Sequence, residues 1–366
     1  MRILISGGGT GGHVFPAIAI ADALKKHIPH AEFLFVGALG KIEMDKVPAA
    51  GYKIVGLDVK GFQRKISFDN VKTAIKTAKA MVKALNIVRD FKPDVAIGVG
   101  GYASGPTLKI VSIYGVPTML QEQNSFAGVT NKLLAKSAKR IYVAYEGMEK
   151  FFDKDKLVLA GNPVRSNILN RHISQEEAKS KLNIPANHHV VLMMGGSLGA
   201  RTINDAMVYG SNVIEKNEDT TFIWQVGKLY MDEFKQQSVS KMPNVKVVDF
   251  IEDMATVYSA VDIIVSRAGA LSIAELAIVG KPTLLVPSPN VAEDHQTHNA
   301  MALVNKEAAI LVKDKEAAPI LINEVFALLQ DVDKMKSLST NLLLMAKPDA
   351  AETIAKDIIH TLNLIV

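Results

Sequence analysis

The run Ser6-Gly7-Gly8-Gly9-Thr10-Gly11-Gly12-His13 follows the apolar segment Met1 to Ile5 and leads into the helical pattern Ala17 to Leu24. A strand that turns through glycine into a helix leaves backbone N–H groups free at the helix N-terminus, where a phosphate or diphosphate is held. The chain therefore begins with a candidate anion cradle. Gly7, Gly9 and Gly12 also satisfy G-x-G-x-x-G, the dinucleotide spacing, which requires a carboxylate at the end of the second strand to hold a ribose. That strand reads Phe33 to Val36 and ends in Gly37-Ala38-Leu39-Gly40 without an acid, while Glu32 lies before it, so dinucleotide binding is disfavoured. His13, closing the loop, either packs as a cap or supplies an imidazole that titrates near working pH.

Two further glycine loops follow apolar runs: Gly100-Gly101-Tyr102-Ala103-Ser104-Gly105 and Gly195-Gly196-Ser197-Leu198-Gly199. Any one of the three reads as a tight turn; three at strand ends point to two phosphate-bearing ligands facing each other across a cleft. The segment Ser266 to Glu275 places Glu275 in the first turns of a helix, where it either favours the helix dipole or accepts both hydroxyls of a ribose. His295 and His298 stand one helical turn apart with acids beside them, yet no third fixed ligand accompanies them, and a metal is disfavoured. Asp331-Val332-Asp333 invites a metal reading too, but in its helical setting it reads as a cap or solvated turn. No obligatory metal or other cofactor is expected.

The elements that must hold these loops alternate strand and helix. Strand-like runs cover 94–99, 116–120, 140–144 and 157–160, then 190–194, 222–226, 245–250, 263–266 and 283–286. This rhythm predicts an α/β fold with parallel sheets covered on both faces. At 366 residues the chain exceeds one ordinary core, and Gly161-Asn162-Pro163 interrupts the pattern before a second strand–glycine–helix unit begins. Two tandem doubly wound domains are expected, residues 1–163 and 164–348. The segment from about 349 to 366 forms a last helix, capped by Asp349 with Glu352 as a capping box, that packs back on the first domain. No cysteine is present, which removes thiolate metal sites and cysteine nucleophiles. No signal core or apolar run of spanning length is expected. Residues 1–163 carry 23 Lys and Arg against 13 Asp and Glu, residues 164–366 carry 19 against 24. The first half should meet an anionic partner.

Gly-Gly-Thr-Gly-Gly-His-Val-Phe-Pro at 8–16, Glu-Gln-Asn at 122–124, Gly-Asn-Pro-Val-Arg at 161–165, Gly-Gly-Ser-Leu-Gly-Ala-Arg at 195–201, Phe-Ile-Glu-Asp-Met at 250–254 and the 266–275 segment stand in one order along nearly the whole chain. Together they resemble the MurG family of bacterial transferases. The resemblance implies the GT-B fold, two doubly wound Rossmann-like domains facing across a cleft. It implies an inverting transfer of N-acetylglucosamine from UDP-N-acetylglucosamine to the 4-hydroxyl of the muramoyl sugar of lipid I, the undecaprenyl-diphosphate-linked muramoyl-pentapeptide, giving lipid II for peptidoglycan, and with it a role in cell shape and division. Alternatives are another GT-B transferase, a nucleotide-sugar epimerase, or a non-catalytic nucleotide-sugar-binding protein.

Carried over by position, the resemblance assigns the uracil edge to the backbone of Ile251, the ribose to Glu275, and the diphosphate to Ser197 with the 195–199 loop. Ala270, Leu271, Ser272, Ile273 and Ala274 would line the same pocket, completed by Arg165, Asn124, Gln296 and Thr10-Gly11-Gly12. His13 is the candidate base, because it ends the first glycine loop, where the acceptor diphosphate would be anchored. One departure is visible: the family often has His before Glu-Gln-Asn, and this chain has Gln121. The resemblance also implies peripheral attachment to the cytoplasmic face of the bacterial inner membrane, beside cell-wall and division enzymes. Apolar positions 71, 74, 75, 78, 82 and 85 with Lys72, Lys76, Lys79 and Lys83 beside them predict a helix packed on the core, whose basic stripe is either a solvated face or a contact with anionic lipid. Ile110, Val111, Ile113 and Tyr114 would add an apolar patch. Nucleic acid is disfavoured because stacking aromatics do not interleave the lysines.

Overall fold

The computed structural model describes residues 1–59, 68–169, 173–196 and 198–363, with the side chains of 68–75, 166–167 and 292 excepted. It forms two compact units, Met1–Arg165 with Lys347–Val366, and Ser166–Ala346.

The first unit runs β1 (Arg2–Ser6), α1 (Gly11–His27), β2 (Glu32–Ala38), α2 (Glu43–Ala49), β3 (Lys53–Leu57), α3 (Phe68–Phe91), β4 (Val95–Gly98), α4 (Ser104–Ile113), β5 (Thr118–Glu122), α5 (Val129–Leu134), β6 (Arg140–Val143) and β7 (Leu157–Leu159). Its parallel sheet has the order β3-β2-β1-β4-β5-β6-β7 among the described residues. Both faces are covered, so β1 is apolar across Ile3, Leu4 and Ile5: Ile3 and Ile5 join the core under α1, and Leu4 between them joins the core under α3 and α4. Complete burial of each such side chain contributes about 1.5–3 kcal/mol.

The second unit runs α6 (Ser166–Leu169), α7 (Gln175–Lys181), β8 (His189–Met194), α8 (Arg201–Tyr209), α9 (Ser211–Glu215), β9 (Thr220–Gln225), α10 (Met231–Phe234), β10 (Val245–Val248), α11 (Met254–Ala260), β11 (Ile263–Ser266), α12 (Ala270–Val279), β12 (Thr283–Leu285), α13 (His295–Val304), β13 (Ile310–Leu311), α14 (Asp314–Gln330) and α15 (Val332–Leu344). Its parallel sheet has the order β10-β9-β8-β11-β12-β13. Trp224 lies wholly inside, and its indole N–H donates to Asn204 Oδ1 at 2.9 Å, which removes the penalty of a buried unpaired donor.

The last helix, α16 (Ala350–Thr361), belongs to the first unit. His27 Nε2 meets Glu352 Oε1 at 2.6 Å, and the Tyr142 hydroxyl donates to Asp357 Oδ2 at 2.8 Å. The expected capping box is absent: Asp349, at φ −90° and ψ 15°, lacks the extended backbone of a cap and caps nothing with its side chain, and Glu352 pairs with His27 and Lys356. Asp331 does cap α15, accepting from the Lys334 N–H at 2.9 Å. Strands β3 and β13 were not anticipated.

Helix α3 also departs from expectation. Its inward face is Ala80, Ala84 and Val88, whereas Ala78 and Val82 point outward. Ile110 and Val111 on α4 are buried, so only Ile113 and Tyr114 of the expected patch reach the surface. No helix among the described residues is long and apolar enough to cross a membrane.

Candidate active site

In both sheets the strand order reverses once, between β1 and β4 in the first unit and between β8 and β11 in the second. Ligands of open parallel sheets bind at the carboxyl ends of strands flanking such a reversal. The first and second glycine loops leave β1 and β4; the third loop and the 266–275 segment leave β8 and β11. The motifs read from the sequence therefore fall on the two switch points.

In the first unit the two glycine loops touch backbone to backbone. A Cβ at Gly101, where φ is +84°, would overlap the Gly8 carbonyl, and one at Gly7 would overlap Val99. Helix α1 starts at Gly11, earlier than its apolar pattern, so Gly11 and Gly12 are its first turn rather than a preceding loop. Among the described residues their N–H groups meet no partner, as at any helix start open to an anion. Thr10 Oγ1 lies 3.1 Å from His13 Nδ1. On its other edge the imidazole lies against Gly100: a Cβ there would stand 3.1 Å from His13 Nε2. The Arg165 guanidinium stacks over Phe15, 5.3 Å from the ring centroid, and that ring borders Gly11.

Behind this surface lies a buried polar frame that sequence reasoning missed. Glu122 Oε1 accepts from the N–H and side-chain amide of Asn124 at 3.1 and 3.2 Å, and Oε2 from Gly128 N–H and Asn131 Nδ2, both at 2.9 Å. Glu122 thus shapes the Asn124 loop from beneath. Gln121 is fully buried, donating to Asn162 Oδ1 at 2.9 Å and accepting from Gln123, so it is part of the frame.

An acid does stand at the end of the second strand. It comes from α2: Glu43, 1% exposed, accepts from Gly9 N–H and Ala38 N–H, both at 2.9 Å. Both oxygens are engaged by backbone, so the dinucleotide reading gains nothing from it.

In the second unit Glu275 is 5% exposed and lies in the second turn of α12, past the turn where a helix dipole acts strongly. The Tyr258 hydroxyl donates to its Oε2 at 3.3 Å. Ile273 is buried at 4%, so it can line a ligand only through its backbone, while Ala270, Leu271, Ser272 and Ala274 are half-buried. Ile251 follows β10; neither its N–H nor its C=O is taken by the backbone among the described residues. The next helix is fixed two residues on by Asp253, which accepts from the Thr256 hydroxyl at 2.6 Å and N–H at 3.1 Å. These donors hold the Asp253 carboxyl below its usual range.

Gln296 Oε1 accepts from Ala268 N–H at 3.2 Å and Ser288 N–H at 2.9 Å, leaving its amide N–H groups as the end offered to a ligand. Arg267, in the same segment, is spent on Asp314 and the Val286 carbonyl. Gly199 and Gly227 pack Cα to Cα, fixing the third loop on the end of β9; Ser197 itself lies outside the described residues. No group of three His, Asp or Glu among the described residues, at His295 and His298 or elsewhere, converges as a metal site. A groove of about 910 Å³ on the first unit, lined by Arg2, Arg89, Lys92, Asp94 and Tyr114, opens at the amino ends of its strands, away from that unit's switch point.

Two tandem doubly wound units with glycine loops at their switch points are the architecture of a GT-B glycosyltransferase. Residues 3–143 match the glycosyltransferase family 28 N-terminal domain, and residues 190–354 match the family 28 C-terminal domain. The chain is 52% identical over 361 residues to the UDP-N-acetylglucosamine–N-acetylmuramyl-(pentapeptide) pyrophosphoryl-undecaprenol N-acetylglucosamine transferase of Bacteroides fragilis, covering 98% of this chain and 95% of the relative. It is 53% identical over 360 residues to the enzyme of that name from Phocaeicola vulgatus, covering 98% and 96%. The crystal structure of Acinetobacter baumannii MurG superposes with a TM-score of 0.76 at 26% identity, over 98% of this chain and 99% of that one. The UDP-GlcNAc 2-epimerase of Neisseria meningitidis shares the fold, with a TM-score of 0.72 at 15% identity over 98% and 100%. The chain belongs to glycosyltransferase family 28, as a member of its MurG family.

Proposed function

We propose that the chain transfers N-acetylglucosamine from UDP-N-acetylglucosamine to the muramoyl 4-hydroxyl of lipid I, inverting the anomeric centre and releasing UDP. The observation that carries this reading is the full-length identity of about one half to relatives named for that transfer. The site chemistry supports it. In the second unit the free N–H and C=O of Ile251 match the acceptor and donor on the uracil edge, and Glu275 suits the ribose diol. Ala270, Leu271, Ser272, Ile273 and Ala274 line that pocket, and Gln296 offers N–H donors to hydroxyl or diphosphate oxygens. Ser197, the amides of its loop and the start of α8 receive the departing UDP, a task they perform without a resident metal.

In the first unit the amides of Gly11 and Gly12 at the start of α1 hold the acceptor diphosphate, and Thr10, Arg165 and Asn124 complete the polar surroundings of sugar and diphosphate. His13 takes the hydroxyl proton. That role requires the tautomer in which Nδ1–H donates to Thr10 Oγ1 and Nε2 carries the lone pair. Purified protein given lipid I and radiolabelled donor should move the label into a lipid product, one sugar per acceptor. Donor binding without turnover would mark a nucleotide-sugar sensor instead, and label recovered in an epimerised UDP-sugar would mark an epimerase.

The acceptor is a lipid, and peripheral attachment to an anionic membrane follows from the same reading. Its support is the face built by α3, α4 and α5, which pack in series. Val82 (60%), Ile113 (63%) and Leu133 (79%) stand exposed there, with Lys79, Lys109 and Lys136 also at the surface. The lysine stripe expected on α3 is reduced: Lys76 pairs with Asp58 at 2.8 Å, Lys83 donates to the Gly56 carbonyl, and the Lys72 side chain lies outside the described residues. Each surface base adds on the order of 1 kcal/mol near anionic lipid. Changing Lys79, Lys109 and Lys136 together to Gln should therefore cut partitioning onto anionic vesicles by about a hundredfold at low salt. Sedimentation with vesicles reads this, and unchanged partitioning would remove these residues from the membrane contact. Peptidoglycan enzymes acting on the same lipid, and division proteins, are the partners this location implies.

A further inference from the structure

Glu43 is a fully buried carboxylate in the first unit that no part of the transfer chemistry uses. It sits on the first turn of α2, five residues beyond β2, and reaches back across the sheet edge to a loop more than thirty residues earlier. Its two oxygens are divided between two loops: Oε2 takes Gly9 N–H and Oε1 takes Ala38 N–H, each at 2.9 Å. The surrounding backbone is cut to fit it. A Cβ on Gly8, where φ is +144°, would overlap the carboxylate, and one on Gly37 would stand 2.5 Å from its Cγ. Gly9 has φ +95° and open space around it, so its conformation comes from the bond to Glu43 rather than from packing.

We infer that Glu43 is the positioning residue of the first glycine loop, and that it decides where on that loop a diphosphate can sit. By taking the Gly9 N–H it removes one donor from the cradle and leaves the free amides at the start of α1, those of Gly11 and Gly12, as the anion site. By tying Gly9 to the end of β2 it fixes the entry into α1 and hence the place of the Thr10 and His13 side chains. A carboxylate is required because both partners are N–H donors. Glutamine offers one oxygen, and its amide nitrogen would face the second N–H; aspartate keeps the charge but is one methylene too short to span both amides. This inference rests on the reading that the first glycine loop holds the acceptor.

The test compares Glu43→Gln, Glu43→Asp and Gly12→Ala with the parent, using soluble lipid I analogue and UDP-N-acetylglucosamine. A Cβ at Gly12 meets only Thr10 Oγ1 at an ordinary 3.6 Å, so that variant alters the proposed anion site with little disturbance beneath it. Donor titration by calorimetry gives the folded, donor-competent fraction of each protein, so partial unfolding cannot imitate the result. Glu43→Gln should raise the acceptor KM about tenfold with donor affinity unchanged, and Glu43→Asp should show the same split. A role confined to stability would lower the competent fraction and leave both KM values of that fraction unchanged, which overturns the inference. If Gly12→Ala raises the acceptor KM while neither Glu43 variant does, Glu43 is not the positioning residue and the reading of the loop stands. If all three leave the acceptor KM untouched, the loop does not hold the acceptor and the inference falls with that reading.

Discussion

Glu275→Ala is expected to raise the KM for UDP-N-acetylglucosamine tenfold or more while leaving the acceptor KM unchanged. Glu275 is nearly inaccessible, and Tyr258 donates to one of its oxygens. A ribose presents two adjacent hydroxyls, both donors, to which an ionised carboxylate is matched. Hydrogen bonds to a charged group contribute about 1.5–3 kcal/mol, which corresponds to roughly 10-fold to 150-fold in binding. The competing role, compensation of the α12 dipole, belongs to the first turn, whereas Glu275 is the sixth residue of that helix. Calorimetry with UDP alone separates ribose recognition from any effect on the sugar, because UDP carries the ribose and lacks the sugar. Tyr258→Phe controls for the loss of the Tyr258 hydrogen bond to Glu275. Retention of UDP affinity in Glu275→Ala would sink the ribose assignment.

The placement of these residues was legible because parallel sheets impose it. A strand buried on both faces reads as an unbroken apolar run, and the chain must turn at its carboxyl end; glycine there is visible without any tertiary knowledge. Hence Gly7 to Gly12, Gly100 to Gly105, Gly195 to Gly199 and the Ser266 segment mark the ends of β1, β4, β8 and β11. Strand β3 escaped notice because Lys53-Ile54-Val55-Gly56-Leu57 is short, carries a glycine and lies at the sheet edge; β13 has two residues. Helix α3 was misread for a different reason. Hydrophobicity alone puts Val82 inside, yet close approach of a helix to its neighbours selects small side chains, and Ala80 and Ala84 take the buried stripe.

What stayed hidden are pairings between distant segments. Nothing near Glu43 in the chain reveals that its oxygens serve Gly9 and Ala38; the only trace is the pair of glycines at 8 and 37 that make room for it. Glu352 shows the converse. Its spacing from Asp349 satisfies a capping box, but Asp349 lacks the extended backbone of a cap, and His27 offers Glu352 a charge-assisted partner that local spacing cannot foresee. Glu122 reads as the opening of a family motif, while its physical task is to accept three hydrogen bonds from the loop that follows it and one from Asn131 on α5.

The chemical step gives the largest expected effect. Direct displacement at the anomeric carbon needs the acceptor hydroxyl to lose its proton as the new C–O bond forms, and His13 is the imidazole at the start of α1. In single turnover with saturating acceptor, His13→Ala and His13→Gln should slow the chemical step by ~10²–10⁴-fold. Thr10→Val should cost less in this saturated rate, because there it removes the acceptor for Nδ1–H and leaves the ring in place, its effect on binding appearing in KM. A base must be unprotonated to act, so the limb of the rate profile that falls toward acid should vanish in His13→Gln and persist in Thr10→Val at a shifted pH. An anionic diphosphate at the start of α1 favours the imidazolium, so a binding role competes with the catalytic one. The two separate cleanly: a cation that grips the acceptor alters its KM and spares the saturated rate, whereas a base alters the saturated rate itself. A loss confined to acceptor KM would make His13 a binding residue, and proton removal would then fall to another group.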